Sequence, residues 1–195
     1  MELQIQRAKE AFEKNGFSCT YFETAEQAVT YLAEQVRGKT VAFGGSMTLK
    51  EMGADEVLGA SAEVHWHWNG DAFCQNADVY VTSANALSEQ GAVVNIDGAC
   101  NRVAGQLFGA QEYFIVCGVN KLASDLHAAL YRAQNIAAPK NAQRLGKKTP
   151  CAVKADKCYH CNSPERICCA TVILERPPIS AKRYEIILIN ENLGY

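Results

Sequence analysis

Several things are scarce in this sequence, and each absence removes a class of function. No stretch approaches the roughly 18 uninterrupted apolar residues of a membrane-spanning helix, so nothing here reads as a membrane protein. The first residues, Met1 to Arg7, carry charges where a secretion signal needs an apolar run, and the expected location is the cytoplasm. Charge of one sign is also lacking. A formal net charge of −2 leaves no electrostatic footprint for nucleic acid or an anionic membrane surface. Lys147 and Lys148 make only a short basic spot, read here as a solvated loop. Repeats and low-complexity segments are absent as well, which argues against solenoids and linkers.

What remains is ordinary globular material. With 195 residues, 48% hydrophobic and 21% charged, the chain can bury one substantial core, and residues 1–195 read as one domain. Nine cysteines stand out. In a reducing compartment they are ligands, reactive thiols or small buried residues rather than disulfides.

Two periodicities alternate along the chain. Leu3, Ala8, Ala11 and Phe12 share one face of a helix over 3–15 that Gly16 ends, and a strand follows at 18–22. Thr24 and Gln27 have capping-box spacing before a helix with the stripe Ala28, Leu32, Val36. Thr40 to Phe43 is a compact strand entering Gly44-Gly45-Ser46, and Thr48 with Glu51 predicts a helix start. Residues 63–68 alternate, with Val64, Trp66 and Trp68 opposite His65 and His67. Further strands are expected at 77–82, 92–96, 113–117 and 184–189, with a helix over 124–136 stopped by Pro139. Strands alternating with helices predict an α/β fold, a mostly parallel sheet with helices on both faces.

Ligands of such sheets gather at the carboxyl ends of strands. Three stretches fall there: Gly44-Gly45-Ser46-Met47-Thr48, Thr82 to Gly91, and Asn95 to Arg102. Ser46 and Thr48 can donate to a phosphate or carboxylate, and Arg102 can fork onto the same group. Glu89 is the candidate base or nucleophile. The glycine turn has neither the Walker lysine nor the full dinucleotide fingerprint. Asn95 and Asp97 could equally cap turns.

The runs Gly44-Gly45-Ser46-Met47-Thr48, Thr82-Ser83-Ala84-Asn85-Ala86-Leu87-Ser88-Glu89-Gln90-Gly91 and Asp97-Gly98-Ala99-Cys100-Asn101-Arg102-Val103-Ala104 resemble the LUD domain family, named for lactate utilisation. The resemblance extends over nearly the whole chain, through Val116-Cys117-Gly118-Val119-Asn120-Lys121 and the cysteine segment. It implies a fold like that of ribose-5-phosphate isomerase, glucosamine-phosphate deaminase and CoA transferases, the last of which use a glutamate nucleophile. It implies a pocket of Gly44, Gly45, Ser46, Thr48, Asn95, Asp97, Asn101 and Arg102 with Glu89 as the catalytic group. It does not fix a reaction, since folds host many chemistries. Cys100 stands where a small residue such as glycine is expected, and reads as a buried spacer.

Within 151–169 the cysteines follow C-x6-C-x2-C-x6-C-C. Cys158 and Cys161 form a knuckle, flanked symmetrically by Cys151 and Cys168. Four thiolates suit tetrahedral zinc or an iron–sulfur cluster, and spacing does not decide between them. The electron-transfer setting that the resemblance implies favours a [4Fe–4S]-type cluster, with zinc as the alternative. Cys169 leads into an apolar run, and Cys19, Cys74 and Cys117 read as core. His65 and His67 lack a nearby third ligand and read as a half-exposed strand face.

Three functions stay open. One is a redox-associated protein that binds a small carboxylate or phosphorylated metabolite and carries a cluster. The second is an isomerase- or transferase-like enzyme using Glu89, with zinc as a staple. The third is a ligand-binding regulatory module. The expected partner is a small molecule; a redox protein, or a second copy docked on the Val64, Trp66 and Trp68 face, is the macromolecular option.

Overall fold

The computed structural model describes residues 2–71 and 76–195. Its first half runs α1 (Glu2–Lys14), β1 (Ser18–Phe22), α2 (Ala25–Gln35), β2 (Thr40–Phe43), α3 (Met47–Glu51), α4 (Ala54–Gly59) and β3 (Glu63–Trp66). The centre holds β4 (Val79–Thr82), β5 (Ala86–Ser88), β6 (Ala92–Asp97), α5 (Asn101–Leu107), β7 (Glu112–Gly118) and β8 (Leu122–Ala123). After these come α6 (Leu126–Arg132), α7 (Ala138–Arg144), α8 (Pro150–Lys154), β9 (Ala170–Leu174) and β10 (Arg183–Ile189).

Six strands form one sheet in the order β1-β10-β7-β4-β2-β3, every pairing parallel. Its central strand β7 shows why both faces must be covered. Tyr113, Ile115 and Cys117 point into one core with Ile5, Ala8 and Phe12 of α1. Phe114 and Val116 point into the other, with Val29 and Leu32 of α2 and Leu49 and Leu58 from α3 and α4. Period-two alternation of apolar residues on both sides is what a doubly covered parallel strand requires. Full burial of each large side chain contributes about 1.5–3 kcal/mol. The α/β expectation with helices on both faces is met.

A second sheet, β8-β5-β6-β9, was not legible as such. Its β5–β6 and β6–β9 pairings are antiparallel and β5–β8 parallel. Leu87, Val93 and Leu174 from it join the first core, while Ala86, Val94 and Ile96 pack on Ala129 and Ala133. This places the end of β6, Asp97, beside the carboxyl edge of the large sheet.

Local expectations fail at identifiable points. Leu3 is 75% exposed, and Ile5 takes its place in the core of α1. The cap of α3 is Ser46, whose hydroxyl accepts from the Leu49 N–H at 3.2 Å; Thr48 is inside the helix and buried. Pro139 does not stop the long helix. Residues Ala133–Ala137 form a π turn, with the Ala138 N–H donating to the Ala133 carbonyl, and the shifted register carries the chain past the missing proline donor into α7. Trp66 is 2% exposed and Val64 and Trp68 pack against the same core, so this face is spent within the chain.

Candidate functional site

Because the strands of the large sheet are parallel, the carboxyl ends of β2, β4 and β7 share one edge. Above it opens a cavity of about 470 Å³. Gly45 and Ser46 line it from the end of β2, Ser83 to Asn85 from β4, and Lys121 from the turn after β7. Asp97, Gly98, Asn101 and Arg102 line it from the junction of β6 and α5. The rim is formed by Trp68, by Arg144 and Lys147 at the end of α7, and by Pro164 to Ile167 of the cysteine segment.

Most of the residues expected at the site are here, but several are committed to holding the fold. The Arg102 guanidinium donates to the Ser83 carbonyl (3.3 Å), Asn85 Oδ1 (3.2 Å), the Ile96 carbonyl (2.7 Å) and Asn95 Oδ1, with Asp97 Oδ2 3.8 Å from Nε. Its fork therefore ties β4 to β6 rather than reaching for a ligand, though its charge still acts on the cavity. Asp97 accepts from the Cys100 and Val103 N–H groups at 3.1 Å each and caps α5. Asn95 is fully buried and donates to Gln106 Oε1 at 2.6 Å. Gly44 and Asn95 lie behind the cavity wall, and Thr48 reaches it through Lys121. Cys100 has φ +63°, the left-handed backbone that glycine adopts most easily.

Glu89 stands apart from the other expected site residues. Its carboxylate accepts from Arg7 Nη2 (2.8 Å) and Nε (3.0 Å) and from Gln4 Nε2 (2.7 Å), against α1 and outside the cavity lining. A base or nucleophile must reach the bound substrate, and here Glu89 fastens the first helix to β5.

The cavity instead holds Lys121, a residue to which sequence pattern alone gives no role. It is 4% exposed and donates to Thr48 Oγ1 at 2.7 Å and Ser83 Oγ at 2.9 Å. Burial pulls its pKa down from the usual 10.5 to about 8; Cys117 opposes this most, while Arg132 and Arg102 push the same way as burial and Glu51 opposes least. The signal that could have found it was positional: a lysine three residues past the end of a buried parallel strand. Lys147, read as a solvated loop residue, also lines the cavity with Arg144. Arg144 stands 5.2 Å over the Trp68 ring.

The cysteine segment has a different construction. Between α8 and β9 the chain has no regular hydrogen-bonded structure, and His160 inside the knuckle has φ +47°. Cys151, Cys158, Cys161 and Cys168 all line one void of about 100 Å³, together with Ile96, Arg166 and Ile167. The four are half-buried free thiols, and Cys169 is exposed. The His160 N–H donates to Cys158 Sγ at 3.4 Å, and Thr149 Oγ1 lies 3.2 Å from Cys151 Sγ. Among the described residues no three His, Cys, Asp or Glu side chains converge on a single-ion site. Arg166 donates to the carbonyls of Cys161 (3.3 Å) and Cys168 (2.8 Å).

The two cavities share a wall. Ile96, Arg166 and Ile167 line both. The Cys169 N–H donates to the Asp97 carbonyl at 3.0 Å. A Cβ on Gly98 would stand 2.9 Å from the Ile167 carbonyl, so glycine lets the two segments touch. His65 bonds Glu63 at 3.2 Å while His67 faces the larger cavity, so these histidines do not share a ligand. Cys19 and Cys117 are core, and burial pushes the Cys19 thiol up to about 12; Cys74 lies outside the described residues.

No helix among the described residues is long and apolar enough to cross a membrane. No curated protein matches the sequence. Among solved structures, a DUF162 family protein from Deinococcus radiodurans aligns over 96% of this chain and 97% of its own at 11% identity, with a TM-score of 0.59. A ribose 5-phosphate isomerase from Plasmodium falciparum aligns over 51% of this chain and 52% of its own, at 13% identity and a TM-score of 0.35. The LUD domain model matches residues 5–189, nearly the whole chain, and the protein belongs to the LUD domain family.

Proposed function

We propose that this LUD protein binds a small carboxylate or phosphorylated metabolite over the strand ends and carries an iron–sulfur centre on Cys151, Cys158, Cys161 and Cys168, in the redox metabolism of lactate or a related organic acid. One observation carries the reading: the cysteine-lined void and the cation-rimmed cavity adjoin, with Ile96, Arg166 and Ile167 lining both. An electron carrier is useful where it stands next to what it serves. Cysteine thiolates are the usual ligands of such clusters, and hydrogen bonds to sulfur such as that from His160 tune their potential. When bound, the cluster would supply one-electron transfer; the chain's own residues hold the metabolite and insulate the sulfurs. The transferase-like alternative relied on Glu89, whose carboxylate is held by Arg7 and Gln4.

Anaerobic purification tests the metal half. Iron with inorganic sulfide, and a visible absorbance that bleaches with dithionite, supports it; stoichiometric zinc without sulfide sinks it. Calorimetric titration with lactate, phosphate and phosphorylated acids tests the pocket half, which fails if no anion binds.

A further inference from the structure

The larger cavity has cations at two depths. At its floor Lys121 is buried, with two of its three N–H donors on the hydroxyls of Thr48 and Ser83. No carboxylate stands within ion-pair distance of it among the described residues. A buried ammonium without a counter-charge is costly unless something supplies one. At the rim are Arg144, Lys147 and Arg166. The lining holds two acidic side chains, Asp97 and Glu165, against five cationic ones, Arg102, Lys121, Arg144, Lys147 and Arg166, and Asp97 already faces Arg102 at 3.8 Å.

Size points the same way. A three-carbon hydroxy acid has six non-hydrogen atoms. Even at the roughly 30 Å³ that a water molecule occupies in the liquid, it fills at most about 180 Å³, against the 470 Å³ present. Such a molecule leaves more than half of the cavity unfilled.

Resting on the anion-pocket reading, we infer that the ligand is an elongated molecule with two anionic groups, a dicarboxylate or a phosphorylated carboxylic acid (a dianion in the sense of two such groups), with one group on Lys121 and the other between Arg144, Lys147 and Arg166. The third Lys121 N–H meets the inner group, and the exposed rim cations set the length that is accepted. A monocarboxylate such as lactate occupies one end only and is bound correspondingly weakly.

The test is calorimetry on the anaerobically purified protein with succinate, 2-oxoglutarate, 3-phosphoglycerate and phosphoenolpyruvate, against lactate and inorganic phosphate as single-end probes. At least one dianion should bind ten-fold or more tighter than both single-end probes. Arg144→Gln with Lys147→Gln, two changes outside the core, should erase most of that advantage, costing the dianion more affinity than either single-end probe loses. Lys121→Met should weaken the dianion and the single-end probes together. If lactate or phosphate binds as tightly as every dianion, the inference is overturned while the anion pocket stands. If no anion binds, the pocket reading falls and takes the inference with it.

Discussion

The cavity over the strand ends and the void among the cysteines lie side by side and are built by opposite means. Around the cavity nearly every polar group is fixed by a neighbour: Arg102 spans two strands, Asp97 caps a helix, Lys121 is held by two hydroxyls. The cysteine segment has no strand or helix between α8 and β9; Cys158, Cys161 and Cys168 are half-buried there while most of its other side chains are exposed. Its order would come from whatever the four sulfurs hold. Preorganised donors suit recognition; a segment tied by a bound centre gains its folding free energy from that centre.

The largest expected effect comes from breaking the second region alone. Cys158→Ser with Cys161→Ser should abolish iron binding and leave 155–169 open to limited proteolysis. The six-stranded sheet should keep its cooperative melting, because the knuckle contributes nothing to the two main cores. Joint loss of iron and of cooperative melting would show that the regions are not separable.

Next is Lys121→Met. Removing an uncompensated buried cation in favour of an apolar side chain of similar length is neutral or stabilising in many proteins. The variant should melt at or above the wild-type temperature while losing ten-fold or more in anion affinity. A large fall in melting temperature would assign Lys121 to the fold instead.

The pH dependence follows from the same residue. Its pKa of about 8 means that the ammonium is lost as pH rises through 8, so anion affinity should fall above that point. A bound anion favours the charged form, raises the pKa and shifts the fall to higher pH at saturation. For the unliganded protein the sign is reversed. Between about 8 and the ordinary 10.5 the unfolded chain holds more protons, so this lysine's contribution to stability rises with pH. Affinity that stays flat between pH 7 and 9.5 would remove Lys121 from the site.

A smaller effect is expected at the shared wall. Arg166→Gln removes a charge that faces the cavity while contacting the carbonyls of Cys161 and Cys168. It should lower the midpoint potential of the bound centre and weaken the anion modestly, both read on one preparation. Smallest of all is Glu89→Gln. The Arg7 side chain is 62% exposed, so their ion pair is worth at most about 1 kcal/mol, and anion affinity should not move.

The same contrast explains what could be read from the sequence. Strand periodicity placed β2, β7 and β10, and the glycine turns placed the site at the carboxyl edge. Cys151, Cys158, Cys161 and Cys168 line one void, and their nearness follows from spacing along a single segment, a local property. Glu89 misled because chemistry-bearing type does not reveal partners: Arg7 and Gln4 lie more than 80 positions away. Lys121 was passed over for the same reason, since Thr48 and Ser83 reach it only through the fold. Pro139 carries a general stop signal that a single π turn overrides.

The most direct test of the two-region account is the metal content of anaerobically purified protein. Iron and inorganic sulfide in equal amounts, lost together in the Cys158→Ser, Cys161→Ser variant while anion binding survives, is the predicted result. One zinc per chain without sulfide, or four freely reactive thiols with no metal at all, would contradict it.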